Sequence, residues 1–190
     1  MTNESGKYHR RSIRLKGYDY TQAGAYFVTI CTQDRKCMFG EILDGDIHLN
    51  DMGQIIHSIW IILPERFPDV ELDQYTIMPN HLHAIITLAG TGFTAHQDSY
   101  TSRIPDRFEQ QMYTKRQSNL SPALGEIIRT FKAITAYRIH KAGISDFAWQ
   151  RNFYEHVIEN DDDLNRIPQY IIENPLRWTK DSLHIEELLQ

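Results

Sequence analysis

Residues 70–88 read VELDQYTIMPNHLHAIITL, and no other part of the chain narrows the fold as sharply. Leu72, Gln74, Thr76 and Met78 alternate with Asp73, Tyr75 and Ile77, the period of a strand. Pro79-Asn80 is a turn signal, and His81–Leu88 is a second β-rich run. The two runs predict a β-hairpin, so the chain must build a sheet. Residues i and i+2 of a strand share a face, so His81 and His83 project together while Leu82 points to the core. Their bases stand about 7 Å apart, within reach of one cation. The pair is expected at the mouth of the hairpin, near the edge of the sheet. Two histidines decorating a half-exposed strand is the plain alternative. A three-histidine alternation of the nucleotidyl-hydrolase kind is excluded, because the third slot holds Ile85.

The remaining elements follow from local signals. Ala25–Thr32 reads as a strand bounded by Gly24. Met38–Ile42 and Ile47–Asn50 flank Asp44-Gly45, a hairpin turn. Asp51 is placed to cap a helix reaching Leu63, with Ile55, Ile59 and Ile62 on one face and Pro64 and Pro68 beyond. Residues 122–142 form a second helix, with Leu124, Ile127, Ile128, Phe131 and Ile134 as its stripe and Gly143 as its stop. Residues 147–158 are irregular with a short strand. Asp161–Asp163 open a third helix that runs to Asn174 before Pro175. This order predicts an α+β domain, a mainly antiparallel sheet with helices on one face.

The chain has 190 residues, of which 41% are hydrophobic and 11% aromatic, enough for one cored domain. No apolar run approaches the roughly 18 residues of a membrane span. The basic start lacks the apolar stretch of a signal peptide. Two cysteines outside any CxxC motif suit a reduced, cytoplasmic protein. A net charge of −5 argues against non-specific nucleic-acid coating but allows a local basic surface. We expect residues 1–20 as a basic arm, 21–180 as the domain with a long, partly disordered loop at about 89–121, and 181–190 as a tail.

A cation needs more than two nitrogens. On the third helix Tyr170 and Asn174 are i and i+4, which sets a phenol and an amide side by side. The same spacing suits a structural tyrosine and an ordinary residue before a proline, so the pattern alone leaves both open.

The combination is more specific than its parts. Met78-Pro-Asn-His-Leu-His83, then Trp149-Gln-Arg-Asn-Phe-Tyr-Glu-His156, then Tyr170-Ile-Ile-Glu-Asn-Pro175 resembles the single-tyrosine HUH transposases. The REP-associated tyrosine transposase branch is the nearest in pattern, and the arm Arg10–Tyr20 and the strand Tyr26–Thr29 fit as well. The likeness spans roughly residues 8–178. It implies a ferredoxin-like antiparallel sheet with flanking helices, the histidine strand central and the tyrosine helix across it. It implies His81, His83 and Asn174 as ligands of Mg²⁺ or Mn²⁺, though insertion-sequence relatives often carry glutamine at the last position. Tyr170 is then the nucleophile, forming a covalent 5′-phosphotyrosine on single-stranded or hairpin DNA and leaving a 3′-OH to rejoin strands. Arg10, Arg11, Arg14, Lys16 and Lys132 become candidate DNA contacts. Arg129, Arg138 and Lys141 could line a groove, and Trp149, Phe153 and Tyr154 could stack on bases. His156 is expected to be structural. The unit is expected to be a monomer or homodimer. A hairpin-binding protein without turnover and a nuclease that uses water are the rival functions.

Overall fold

The computed structural model describes residues 18–89 and 122–185. Strand β1 (Gly24–Cys31) leads to the hairpin β2 (Gly40–Leu43) and β3 (Asp46–Leu49). Helices α1 (Asp51–Ile61) and α2 (Leu63–Arg66) follow, then β4 (Val70–Met78) and β5 (His81–Leu88). After the long segment come α3 (Leu124–Lys141), β6 (Tyr154–Ile158), α4 (Asp161–Glu173) and a 3₁₀ turn, Pro175–Lys180. The basic residues Arg10, Arg11, Arg14 and Lys16 lie outside the described residues, as does nearly all of the predicted loop.

β4, β5, β1 and β6 form one antiparallel sheet in that spatial order. With α1 after β1 and α3 after β5, this is the ferredoxin-like β-α-β-β-α-β arrangement. The expected β4–β5 hairpin forms with Met78 opposite His81 and Thr76 opposite His83. One expectation fails here: the histidine strand is not near the edge. On its far side β1 pairs with it, Cys31 opposite His81 and Thr29 opposite His83, because the two crossover helices bring β1 in beside β5.

The helices also do not share one face. Tyr26, Val28, Ile30, Leu82, Ala84 and Ile86 pack against α1 (Ile56, Ile59, Trp60) and α3 (Ile127, Ile128, Phe131, Ile134). The odd-numbered residues Phe27 and Ile85 point the other way and, with Ile158, meet Ile167 and Ile171 of α4. That helix buries an i, i+4 pair, a stripe wide enough to cover part of a second face. Period-two alternation thus gives the sheet an apolar core on one side and a small apolar patch on the other.

Local chemistry sets the ends. Asn50, not Asp51, caps α1, accepting from the Gly53 amide at 3.1 Å; Asn50 keeps the extended backbone of a cap while Asp51 enters the first turn. A side chain at Gly53 would meet the Phe39 carbonyl at 2.2 Å, so only glycine lets the helix start this close to the β2 segment. Asp44 and Gly45 both have positive φ, 53° and 89°, the two-residue turn expected of Asp-Gly. Gly143 (φ 95°) ends α3, and the Ile144 amide reaches back to the Ile139 carbonyl. Among the described residues no helix is long and apolar enough to cross a membrane.

Candidate functional site

The odd face of the sheet turns polar at the β4–β5 end. His81 and His83 project from it with ring centroids 4.4 Å apart, and both are buried, 0% and 2% exposed. Helix α4 crosses this face and lowers Tyr170 onto the pair. The Tyr170 hydroxyl lies 3.2 Å from His83 Nε2 across 87 residues of sequence. Phe27 supports both rings, stacked on His83 at 5.4 Å and edge-on to Tyr170 at 6.1 Å. Ile171, the neighbour of Tyr170, is wholly buried, so the helix is pinned where the phenol needs it.

The imidazoles are held from behind. His83 Nδ1 is 2.8 Å from the Thr29 hydroxyl on the adjacent strand, and His81 Nδ1 is 2.7 Å from Asn80 Oδ1. Burial pushes the His81 pKa down to about 3, with the Arg35 charge adding to the effect. Burial also holds His83 well below the usual imidazole range; the His81 charge adds to this and Asp181 opposes it. Both rings are therefore neutral at pH 7, the form that ligates metals.

After α4 the chain turns through the 3₁₀ segment and returns to the histidines. Asp181 Oδ2 comes within 3.8 Å of His81 Nε2; because that ring is neutral, the contact is not an ion pair. Ligand atoms of His81, His83 and Asp181 all lie within 4.8 Å of one another. His81 Nε2, Asp181 Oδ2 and Asn174 Oδ1 are buried without a hydrogen-bond partner. Orphaned buried polar atoms of this kind are costly unless something else meets them. Two imidazole nitrogens with a carboxylate oxygen are a donor set that fits a divalent cation. Burial raises the Tyr170 pKa above its ordinary value and the Asp181 charge raises it further, against a lowering by a hydrogen bond from the Asn174 side chain.

Of the residues singled out in the sequence, His81, His83 and Tyr170 meet here, and Asn174 closes α4 one turn beyond Tyr170 with its Oδ1 buried. Asp181 had no local signal: a lone acid past the last helix reads as tail. Lys132 is placed elsewhere, on α3, where its ammonium donates to the Gln150 and Asn152 carbonyls at 2.8 and 2.9 Å; burial lowers its pKa to about 8. Trp149 and Phe153 pack against the main core, and the Trp149 indole donates to Thr135 Oγ1 at 2.8 Å. Tyr154 alone of those aromatics faces the site side, 6.2 Å from Phe27 and 40% exposed. His156 bonds to Asp163, 2.8 Å away, in the first turn of α4.

No protein-family model matches the sequence. A Haemophilus influenzae protein named "Uncharacterized protein" is 38% identical over 183 residues, 96% of this chain and 97% of that protein. A second H. influenzae protein, named "Putative REP-associated tyrosine transposase", is 30% identical over 159 residues, 84% of this chain and 74% of its own length. Among solved structures, a REP-associated tyrosine transposase bound to a REP hairpin shares 21% identity at a TM-score of 0.48, over 86% of this chain and 73% of that one. The second relative is matched over most of both chains, a span that takes in the histidine strand or the tyrosine helix or both. On that likeness the chain belongs to the REP-associated tyrosine transposases.

Proposed function

We propose that the protein cuts and rejoins single-stranded DNA bearing a hairpin, through a covalent bond to Tyr170. The observation that carries this is the 3.2 Å approach of the Tyr170 hydroxyl to His83 within one chain. The Tyr170 oxygen attacks the scissile phosphorus, forming a 5′-phosphotyrosine as the bond to the 3′ oxygen breaks. The phenol proton passes to solvent, and the departing oxygen takes one up to become a 3′-OH. Attack by a 3′-OH on the phosphotyrosine reverses the step and joins strands. No nucleotide cofactor is needed, because one phosphoester replaces another.

His81 and His83 would hold a divalent cation, Mg²⁺ or Mn²⁺, with oxygens from Asp181 and Asn174. When bound, the cation supplies positive charge that polarises the phosphate and favours the phenolate. That charge matters because the protein alone pushes the Tyr170 proton affinity up. Family membership supports a REP-type hairpin as the partner. Arg10, Arg11, Arg14 and Lys16 are then proposed as phosphate contacts. Lys132 joins them only with the proton it does not spend on the two carbonyls.

The test is to incubate the protein with labelled hairpin DNA and Mn²⁺ or Mg²⁺ and to look for a denaturation-resistant protein–DNA band. Tyr170→Phe should bind the DNA and give neither band nor cut. Cutting without the phenol would establish a water-using nuclease, and binding without cutting by the wild type a domesticated binding protein.

A further inference from the structure

Asn80 stands in the turn between β4 and β5, 0% exposed. All three of its side-chain hydrogen bonds have a forced direction. Nδ2 lies 2.9 Å from the Arg35 carbonyl and 2.8 Å from the Leu183 carbonyl, and a carbonyl can only accept. The NH₂ group must therefore face those two oxygens. Oδ1 is left facing His81 Nδ1 at 2.7 Å, and it too can only accept. His81 Nδ1 must carry the hydrogen. A ring whose one hydrogen sits on Nδ1 leaves Nε2 bare, and Nε2 is the nitrogen turned toward Asp181 with no hydrogen-bond partner. The second histidine has no such constraint. Thr29 is a hydroxyl, able to donate or accept, so its 2.8 Å bond to His83 Nδ1 is compatible with either tautomer.

The geometry points to Asn80 as a positioning residue that fixes His81 as the Nδ1–H tautomer and ties that choice to the docking of residues 181–185 through the Leu183 carbonyl. Without it the ring would be drawn the other way, because an Nε2–H could turn toward the Asp181 carboxylate. A hydrogen on Nε2 would occupy the lone pair that a metal needs. The same amide thus presents the nitrogen and anchors the segment that carries the facing acid. Arg35, whose carbonyl Asn80 holds, also donates through its guanidinium to the Ser182 carbonyl at 3.0 Å, so the segment is attached to two residues that are themselves hydrogen-bonded.

The inference rests on the reading of His81 as a metal ligand, so the tautomer is measured without metal. Long-range ¹H–¹⁵N spectra of the metal-free protein report which ring nitrogen carries hydrogen, with His81 assigned by its loss in His81→Gln. The wild type should show Nδ1–H alone. Asn80→Ala should show Nε2–H or a mixture, and its Mn²⁺ affinity, read by titration, should drop about 10- to 100-fold. Asn80→Ser is the gentler variant; its hydroxyl imposes no direction, so a mixture is expected there too. A wild-type ring bearing Nε2–H overturns the proposal. So does an unchanged Nδ1–H ring in whichever variant folds, or an unchanged Mn²⁺ affinity beside a shifted tautomer. A wild type of the expected tautomer that binds no Mn²⁺ would instead overturn the metal reading and leave the role of Asn80 in the ring standing.

Discussion

The two faces of the central sheet are made by the same strands and do opposite work. On the even face, residues such as Tyr26, Val28, Leu82 and Ile86 vanish into a core closed by α1 and α3. On the odd face Phe27, Ile85, Ile158, Ile167 and Ile171 form a smaller apolar cluster, and beside it stand the two imidazoles, the phenol and the Asp181 carboxylate. Alternation lets one strand serve both: Leu82 enters the main core while His81 and His83 on either side of it face the other way. The lesson is a division of labour: stability is concentrated on one side, and the other can hold unsatisfied polar atoms at a cost the first side covers.

That division can be broken most severely from the core. Phe131→Ala should remove about 3–5 kcal/mol of stability in denaturant titration, since the ring is fully buried against Trp60 and Trp149. Ile171→Ala, on the thin face, should cost less, about 2–3 kcal/mol. It should also loosen the Tyr170 placement, seen as a slower adduct in the gel assay. Equal costs would mean that the faces are not unequal after all.

Acid should act through the polar face. The unfolded histidines titrate near 6.5, whereas the folded His81 does so near 3 and His83 also well below 6.5. As pH falls below 6.5 the unfolded chain binds protons that the fold refuses, so stability is lost in that window and not above it. The slope should approach about 1.4 kcal/mol per pH unit for each ring. His81→Gln should remove about half of that slope. The smallest effect belongs to Tyr170→Phe, whose stability should stay within about 1 kcal/mol of wild type because one hydrogen bond to His83 is lost. A larger loss would make the phenol part of the scaffold.

Much of this was readable in advance where it is local. The strand of residues 70–78 and the strand of 81–88 match their predicted bounds, because period-two patterning and a Pro-Asn turn leave little freedom. The family resemblance, not the spacing alone, grouped His81, His83, Tyr170 and Asn174, and the structure sets the Tyr170 hydroxyl 3.2 Å from His83 Nε2. The placement of α4 on the second face was implied by the family resemblance but not by the patterning, because Ile167 and Ile171 fix that it packs but not on which side. The nearness of Asp181 was equally hidden. It depends on Asn174 keeping helical angles, on the 3₁₀ turn after it, and on the bond from Asn80 to Leu183, all of them tertiary facts.

β5 is laddered on both sides, to β4 and to β1, along the whole length that bears the histidines. The ladders fix the Cα spacing of the two histidines, and hydrogen bonds with Thr29 and Asn80 hold their rings. The oxygens of Asn174 and Asp181 hang on a short helical turn and its return. For the proposed cation, tolerance for different radii would come from that oxygen side.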